Sequence, residues 1–314
     1  MMKRTVTILV PVFGVEKYIG ECVDSLFRQN YTEIEYIFCN DCTPDGSIGV
    51  LSEVIERYPN RKEHVRILHN ETNKGVGYTR NRLVSEVKTD YFLFVDSDDV
   101  LPSNAVSVLV DKMHETDTDI VDGAYAIYKD GNAGKKVKPS HDDPSKYLDD
   151  ILCQNIILPR VWGRLYKTSV LQMVKNLFIE GIDYAEDICA TSRLACVTSR
   201  SWIDEVVYYY RTDNINSYTR NITKKNILSY FNAMAVVLSF YHQRKGHLPM
   251  SLEIGVLNAF RECGRARIDI RKADEIIGYI PEHFIAQLLY WLFHRKSKAV
   301  LIFADYLYRL VRAI

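Results

Sequence analysis

With 314 residues, 47% of them apolar, the chain can bury one large core or two modest ones, which excludes a disordered or fibrous protein. Forty basic residues balance forty acidic ones, so no overall positive field exists to hold nucleic acid without sequence preference, and nucleic acid is not an expected partner. No uninterrupted apolar run reaches the roughly 20 residues of a membrane-spanning helix, and seven scattered cysteines do not make a secreted disulfide framework.

Lys3 and Arg4 precede a short apolar run, but Pro11 interrupts it and no small-residue cleavage site follows; the expectation is an intracellular protein without a signal peptide. From there two periodicities alternate. Thr5–Phe13, Glu35–Cys39, Val65–His69 and Tyr91–Val95 are short, apolar and rich in β-branched or aromatic residues, and read as buried strands. Tyr18–Gln29, Ile48–Tyr58, Tyr78–Val87 and Pro102–His114 repeat apolar residues at helical spacing. Strand and helix in alternation predict an α/β fold with a largely parallel sheet covered on both faces.

In such sheets ligands sit beyond the carboxyl ends of the strands. Acids stand after the first, second and fourth strand ends in particular: Glu16 after the first, Asp41 and Asp45 after the second, and Asp96-Ser97-Asp98-Asp99 after the fourth. Cys39 and Cys42 form a CxxC, but no second pair completes a zinc set, so they read as one buried and one loop cysteine.

Further on, Ile120–Tyr128 reads as a strand turning at Lys129–Asn132, and the polar stretch Ala133–Pro144 as a mobile loop. Arg160–Lys167 reads as a strand or turn, Ala185–Ser199 as a helix and Val206–Arg211 as a strand. From Lys224 the chain is helical, with breaks near Gly246–Pro249 and Gly278–Pro281, which sets an expected domain boundary at 220: residues 1–220 catalytic, 221–314 helical.

Asp96-Ser97-Asp98-Asp99 is the sharpest chemical signal. Three carboxylates in four positions repel one another unless a cation or hydrogen-bond donors complement them. Mg²⁺ or Mn²⁺ takes one or two carboxylates together with phosphate oxygens and water, so such a turn can clamp a nucleoside diphosphate through the metal. The competing reading is plain helix capping by Asp99 or Ser103.

VPVFGVEKYIGECVDSLFRQ, NDCTPDGS, NKGVGYTRN, FVDSDD, VWGRLYK, AEDICA and YYYRTDNINSYTR occur in that order within the first 220 residues. Together they resemble the family 2 inverting glycosyltransferases of bacterial polysaccharide synthesis. The resemblance implies the GT-A fold, a Rossmann-like domain holding a nucleotide sugar at the carboxyl edge of its sheet. It implies Pro11, Phe13 and Glu16 in the nucleoside pocket and Asp41 at the base or ribose. Arg80 would sit near the base or diphosphate, Asp96 and Ser97 along the nucleotide, and Asp98, with Asp96 as an additional contact, on the metal. In AEDICA, Asp187 would be the base that takes the acceptor hydroxyl proton and Glu186 an acceptor contact; both acids would equally suit a helix dipole. Trp162 would stack on a sugar or fill the core, whereas Tyr166 reads as core. Arg211 and Arg220 flank a lid, NINSYT, and one of them, Arg220 by preference, would add positive charge at the leaving diphosphate.

The implied activity is transfer of a hexose or N-acetylhexosamine from a UDP-sugar to a saccharide or lipid-linked saccharide, with Mn²⁺ or Mg²⁺, in the cytoplasm or at the inner face of the membrane. The chain departs from the family pattern at Asn40, where an acid is usual, at Cys42, where glycine is usual, and at Gly14 and Gly163, where asparagine is usual. A nicotinamide dehydrogenase is excluded, since no G-x-G-x-x-G follows the first strand. A sugar-nucleotide pyrophosphorylase lacks its glycine-rich basic loop here; a silent nucleotide-sugar scaffold is the non-enzyme alternative. In the last helix Val300, Leu301, Ala304, Leu307, Tyr308 and Val311 share one face beside basic residues, which suits either an anionic membrane surface or packing against the catalytic domain or a second subunit.

Overall fold

The computed structural model describes residues 4–138, 147–152, 159–214, 223–266, 270–295 and 298–312. The chain divides into two compact units. The first comprises 1–140, 160–180 and 197–217; the second comprises 141–159, 181–196 and 218–314, and so contains Glu186 and Asp187.

The first unit opens with β1 (Val6–Val12), α1 (Ile19–Phe27), β2 (Ile34–Asn40), α2 (Ser47–Glu56), the single turn α3 (Pro59–Lys62), β3 (Val65–His69), α4 (Val76–Ser85), β4 (Tyr91–Phe94) and α5 (Ala105–Thr116). The helical spacing does what it predicts. In α1 the buried residues are Ile19, Cys22, Val23, Leu26 and Phe27, one continuous stripe against the sheet. β1 is buried along almost its whole length, as a central parallel strand must be. Its proline is tolerated for a specific reason. The Leu9 carbonyl accepts from Val95 on the β4 side, and Pro11, two residues on, faces the same side beyond the end of β4, where no ladder donor is required.

The unit continues with β5 (Ile120–Lys129) and β6 (Asn132–Val137) and, after α6 (Tyr147–Leu152) of the second unit, with β7 (Arg164–Lys167), the short α7 (Val170–Met173) and, past α8 (Glu186–Val197), β8 (Arg200–Arg211). The sheet order is β3-β2-β1-β4-β7-β5-β6, with β8 also paired to β5. β1 to β4 are mutually parallel, β7 runs antiparallel to β4 and β5, and β8 is parallel to β5. The largely parallel sheet expected is thus present, and the antiparallel β6 and β7 make it mixed.

The loop expected from Ala133 is instead strand β6 through Val137, paired antiparallel with β5. Its residues are exposed on both faces, so no apolar alternation betrays it. The signal was the turn: Asp130 and Gly131, with φ of 49° and 77°, make the left-handed pair of a tight hairpin. Residues 139–144 of that stretch lie outside the described ones.

In the second unit α9 (Lys224–Lys245) starts at a capping box between Thr223 and Asn226 and stops at Gly246, φ 73°. α10 (Met250–Ala266), α11 (Ile270–Ile277), α12 (Phe284–Phe293) and α13 (Lys298–Arg312) follow. Phe231 of α9 and Tyr290 of α12 both pack edge-on against Phe260 of α10. The Glu253 carboxylate, fully buried, accepts from the Glu282 and His283 amides and so fixes the entry into α12. In α13 the shared apolar face turns inward within this unit: Ala304 and Tyr308 are buried, with Tyr308 beside Phe293.

Candidate functional site

Because β1, β2, β3 and β4 are parallel, the segments that follow them share one edge of the sheet. The loops after β1 and β2 are knitted together by Asp45. Its carboxylate accepts from the Thr43 hydroxyl (2.7 Å), the Ser47 hydroxyl (2.5 Å) and amide (3.2 Å), and the Glu16 amide (3.1 Å). Thr43 and Ser47 in turn accept from the Gly14 and Val15 amides. Glu16 itself accepts from the Gly46 amide at the start of α2. Burial alone would raise the Asp45 pKa, but these donors outweigh it and bring the carboxyl down to about 2. Phe13 stands at the tip of β1, 47% exposed, with Pro11 partly buried behind it.

Asp41 is buried, and both its oxygens are engaged by the next loop: Asn70 Nδ2 (2.7 Å) and the Lys74 amide (2.8 Å) on Oδ1, the Gly75 amide (2.9 Å) on Oδ2. Gly75, φ 86°, allows this close approach. Asp41 thereby shapes the loop that leads into α4, the helix that carries Arg80.

The acidic turn sorts its three carboxylates into different roles. Asp96 Oδ1 pairs with the buried Arg80 guanidinium at 2.6 Å. Asp98, partly buried, accepts from Asn214 Nδ2 at 2.8 Å; burial, reinforced by the charge of Asp96, holds its carboxyl above the ordinary range despite that bond. Asp99 is buried between the Tyr208 hydroxyl (2.6 Å) and the Arg211 amide (2.7 Å). Burial first, then Asp98 and Asp96, push its pKa well upward. Asp99 does not cap α5, whose N-cap is Asn104. It ties the turn to β8, beside the Val100–Tyr209 bridge. Ser97 is buried within the turn.

Arg211 braces the same turn from outside. Its Nε donates to the Asp98 carbonyl at 2.6 Å, its guanidinium pairs with Glu21 of α1, and it lies over the rings of Tyr18 and Tyr128 at about 5 Å. Trp162 is 6% exposed, stacked on Tyr208 and Tyr210 with centroids at 4.3 and 5.1 Å, and Arg160 lies 4.6 Å from its ring. It is therefore a core residue behind the acidic turn rather than a ring offered to a sugar. Tyr166 is core as well. Tyr208, Asn214 and Glu21 belong to the site by these contacts and were not singled out by the sequence. Arg220 lies outside the described residues.

In the second unit Glu186 and Asp187 form the first turn of α8, both partly buried. Just before them Ala185 takes a left-handed φ of 66°, a conformation that costs an L-residue with a Cβ on the order of 1 kcal/mol. Asp187 Oδ1 accepts from the Ile188 amide at 2.7 Å, and Ser229 of α9 clamps the Tyr184 backbone through both its amide and its carbonyl.

The departures from the family pattern acquire a physical reason. Gly14 and Gly163 both have φ of 67°, the left-handed region that glycine and asparagine share. Cys42, standing in place of glycine, is held at φ 56°.

A sequence model described as glycosyl transferase family 2 matches residues 7–174, a span that ends before Glu186 and Asp187. The glycosyltransferase EpsJ of Bacillus subtilis, itself uncharacterised, is 31% identical over 223 residues, covering 68% of this chain and 62% of its own length. Among solved structures, Staphylococcus aureus TarS 1–349 with UDP-GlcNAc superposes with a TM-score of 0.72 at 18% identity, covering 98% of this chain and 90% of that one. The mannosyltransferase PcManGT of Pyrobaculum calidifontis, in complex with GDP-Man and Mn²⁺, gives 0.57 at 13%, covering 100% of this chain and 86% of that one. At such identities the structural likeness establishes the fold.

Proposed function

The chain belongs to glycosyl transferase family 2, and from that premise we propose that it moves a hexose or N-acetylhexosamine from a UDP-sugar, with inversion, to a hydroxyl of a saccharide or lipid-linked saccharide during cell-surface polysaccharide synthesis. The observation that carries the reading is the sorting of the acidic turn: Asp99 is withdrawn into the protein by Tyr208 and Arg211, which leaves Asp96 and Asp98 at the carboxyl edge of β4. UDP is favoured by the nucleotide in the TarS neighbour.

The residues fit a divalent cation, Mn²⁺ or Mg²⁺. Asp98 is crowded by Asp96 in a partly buried place, a situation that a cation relieves. Among the described residues no three Asp, Glu, His or Cys side chains converge to cage an ion, so diphosphate oxygens and water would complete the shell, as these ions prefer. Bound there by Asp98, with Asp96 beside it, the ion would neutralise charge on the departing diphosphate.

The chain's own residues supply the rest. Phe13, exposed at the end of β1 beside Pro11, offers an apolar face to the uracil, and the Glu16–Asp45 lattice holds that loop in place. Arg80 balances Asp96, so that the turn carries less net negative charge toward an anionic donor. Asp187 takes the proton of the acceptor hydroxyl as its oxygen attacks the anomeric carbon and the bond to the diphosphate oxygen breaks; Glu186 orients the acceptor. The support for Asp187 is its motif and its first-turn position behind the left-handed Ala185. The reading sets the enzyme in the cytoplasm or at the membrane's inner face. No helix among the described residues is long and apolar enough to cross a membrane.

The test is UDP release from a panel of UDP-sugars with Mn²⁺ and a saccharide acceptor, in wild type, Asp187→Asn and Asp98→Asn. Asp187→Asn is expected to keep UDP binding and lose turnover by about 100-fold or more. Undiminished turnover in that variant removes Asp187 from the mechanism. Binding of UDP-sugars with no release in any of the proteins identifies a silent scaffold instead.

A further inference from the structure

Ten large apolar side chains are exposed among the described residues, and nine of them lie between Ile280 and Leu310. The tenth is Phe13 at the donor edge. In α12, Phe284, Leu288 and Trp291 are 77%, 39% and 53% exposed and fall at i, i+4 and i+7, one outward stripe. The opposite side of the helix buries Ala286, Leu289 and Phe293. In α13, Ile302, Phe303 and Tyr306 face outward while Ala304 and Tyr308 pack inward. Each helix is thus anchored in its unit by one apolar face and carries a second that is exposed among the described residues.

We propose that the outward faces of α12 and α13 form a membrane-binding surface for an anionic lipid bilayer. Charge selects this occupant. The chain as a whole is neutral, yet between Glu282 and Arg312 five basic residues, Arg295, Lys296, Lys298, Arg309 and Arg312, stand against two acids, Glu282 and Asp305. Asp305 is itself neutralised by Arg261 and Arg309. Arg295 lies 3.6 Å from the centre of the Trp291 ring, which puts a cation and an amphipathic aromatic at one spot, the pairing suited to the headgroup level of a bilayer. Apolar side chains entering the acyl boundary, flanked by cations facing anionic headgroups, satisfy both features at once. A second copy of the chain does not: a twofold interface would set this basic segment against itself. The proposal deepens the placing of the enzyme at a membrane and rests on that reading for its purpose, but binding is measured without catalysis.

The experiment is co-sedimentation of the full chain with vesicles of phosphatidylcholine alone and of phosphatidylcholine with phosphatidylglycerol, in wild type and in Trp291→Ser combined with Phe303→Ser. Both side chains are exposed, and circular dichroism with UDP calorimetry confirms that fold and donor binding persist. The expected result is partition onto the anionic vesicles that weakens with added salt and drops about tenfold or more in the double variant. Equal partition onto neutral and anionic vesicles, or wild-type partition by the double variant, overturns the proposal. So does a dimer in sedimentation velocity that the two substitutions dissolve without any vesicle binding. Lack of UDP release from every donor sinks the glycosyltransferase reading and leaves the vesicle result standing on its own.

Discussion

The Tyr208 hydroxyl joins the two ends of the acidic turn, donating to the Asp99 carboxylate at 2.6 Å and accepting from the Asp96 amide at 3.1 Å. Strand β8, distant in sequence, therefore sets the conformation of a loop that belongs to β4. Tyr208→Phe keeps the stacking on Trp162 but strips a buried carboxyl of one of its two partners. The expected cost is about 1–3 kcal/mol in urea unfolding, with weaker UDP binding by calorimetry. Unchanged values for both would show that the turn holds itself.

Asp98→Asn separates function from stability. Removing a crowded carboxylate beside Asp96 relieves like-charge repulsion, so the melting temperature without metal should stay level or rise slightly, while donor affinity and turnover fall. In the wild type, EDTA should abolish UDP release and Mn²⁺ restore it. Full activity in EDTA would refute the metal assignment.

Asp45 predicts a pH dependence. Its folded pKa of about 2 lies below the ordinary 3.8, so its hydrogen bonds stabilise the fold fully above pH 4, and this contribution is lost as pH falls from 4 toward 2. Asp45→Asn should flatten that part of the stability–pH curve and lower stability at neutral pH. A curve of unchanged slope between pH 4 and 2 would assign the acid sensitivity elsewhere.

The left-handed positions make a graded series. Cys42→Gly relieves a positive φ and should stabilise by up to about 1 kcal/mol. A Cβ at Gly14 meets nothing within 4 Å and asparagine tolerates the left-handed region, so Gly14→Asn should be nearly neutral. Gly163→Asn is different: a Cβ there would collide with an Arg160 nitrogen, and Arg160 is fixed by bonds to the Trp162 and Gly123 carbonyls. Thermal melts should rank the three in that order.

The parallel half of the sheet was legible because Thr5–Phe13 and Tyr91–Val95 must be buried on both faces, and α1 and α2 each show one apolar stripe. β6 was not, since its two faces are equally wet. At the acidic turn the residue types identified the place but not the partners. Tyr208 and Asn214 act on it from 109 and 116 residues away, a distance at which no periodicity speaks. Trp162 shows the same limit: the residue serves a sugar or a core equally well, and the rings of Tyr208 and Tyr210, brought alongside by β8, decide for the core.

The threading of the two units constrains how this enzyme could be re-engineered. Stretches 141–159 and 181–196 leave the sheet-bearing unit and return to it before the last segment of the second unit begins at 218, ahead of α9. A chimera that exchanges only the tail with a relative would graft foreign helices onto two native excursions, one of which carries Glu186 and Asp187. Exchanging the second unit as a whole therefore calls for three coordinated replacements, and single-junction swaps at 217 should yield misfolded hybrids.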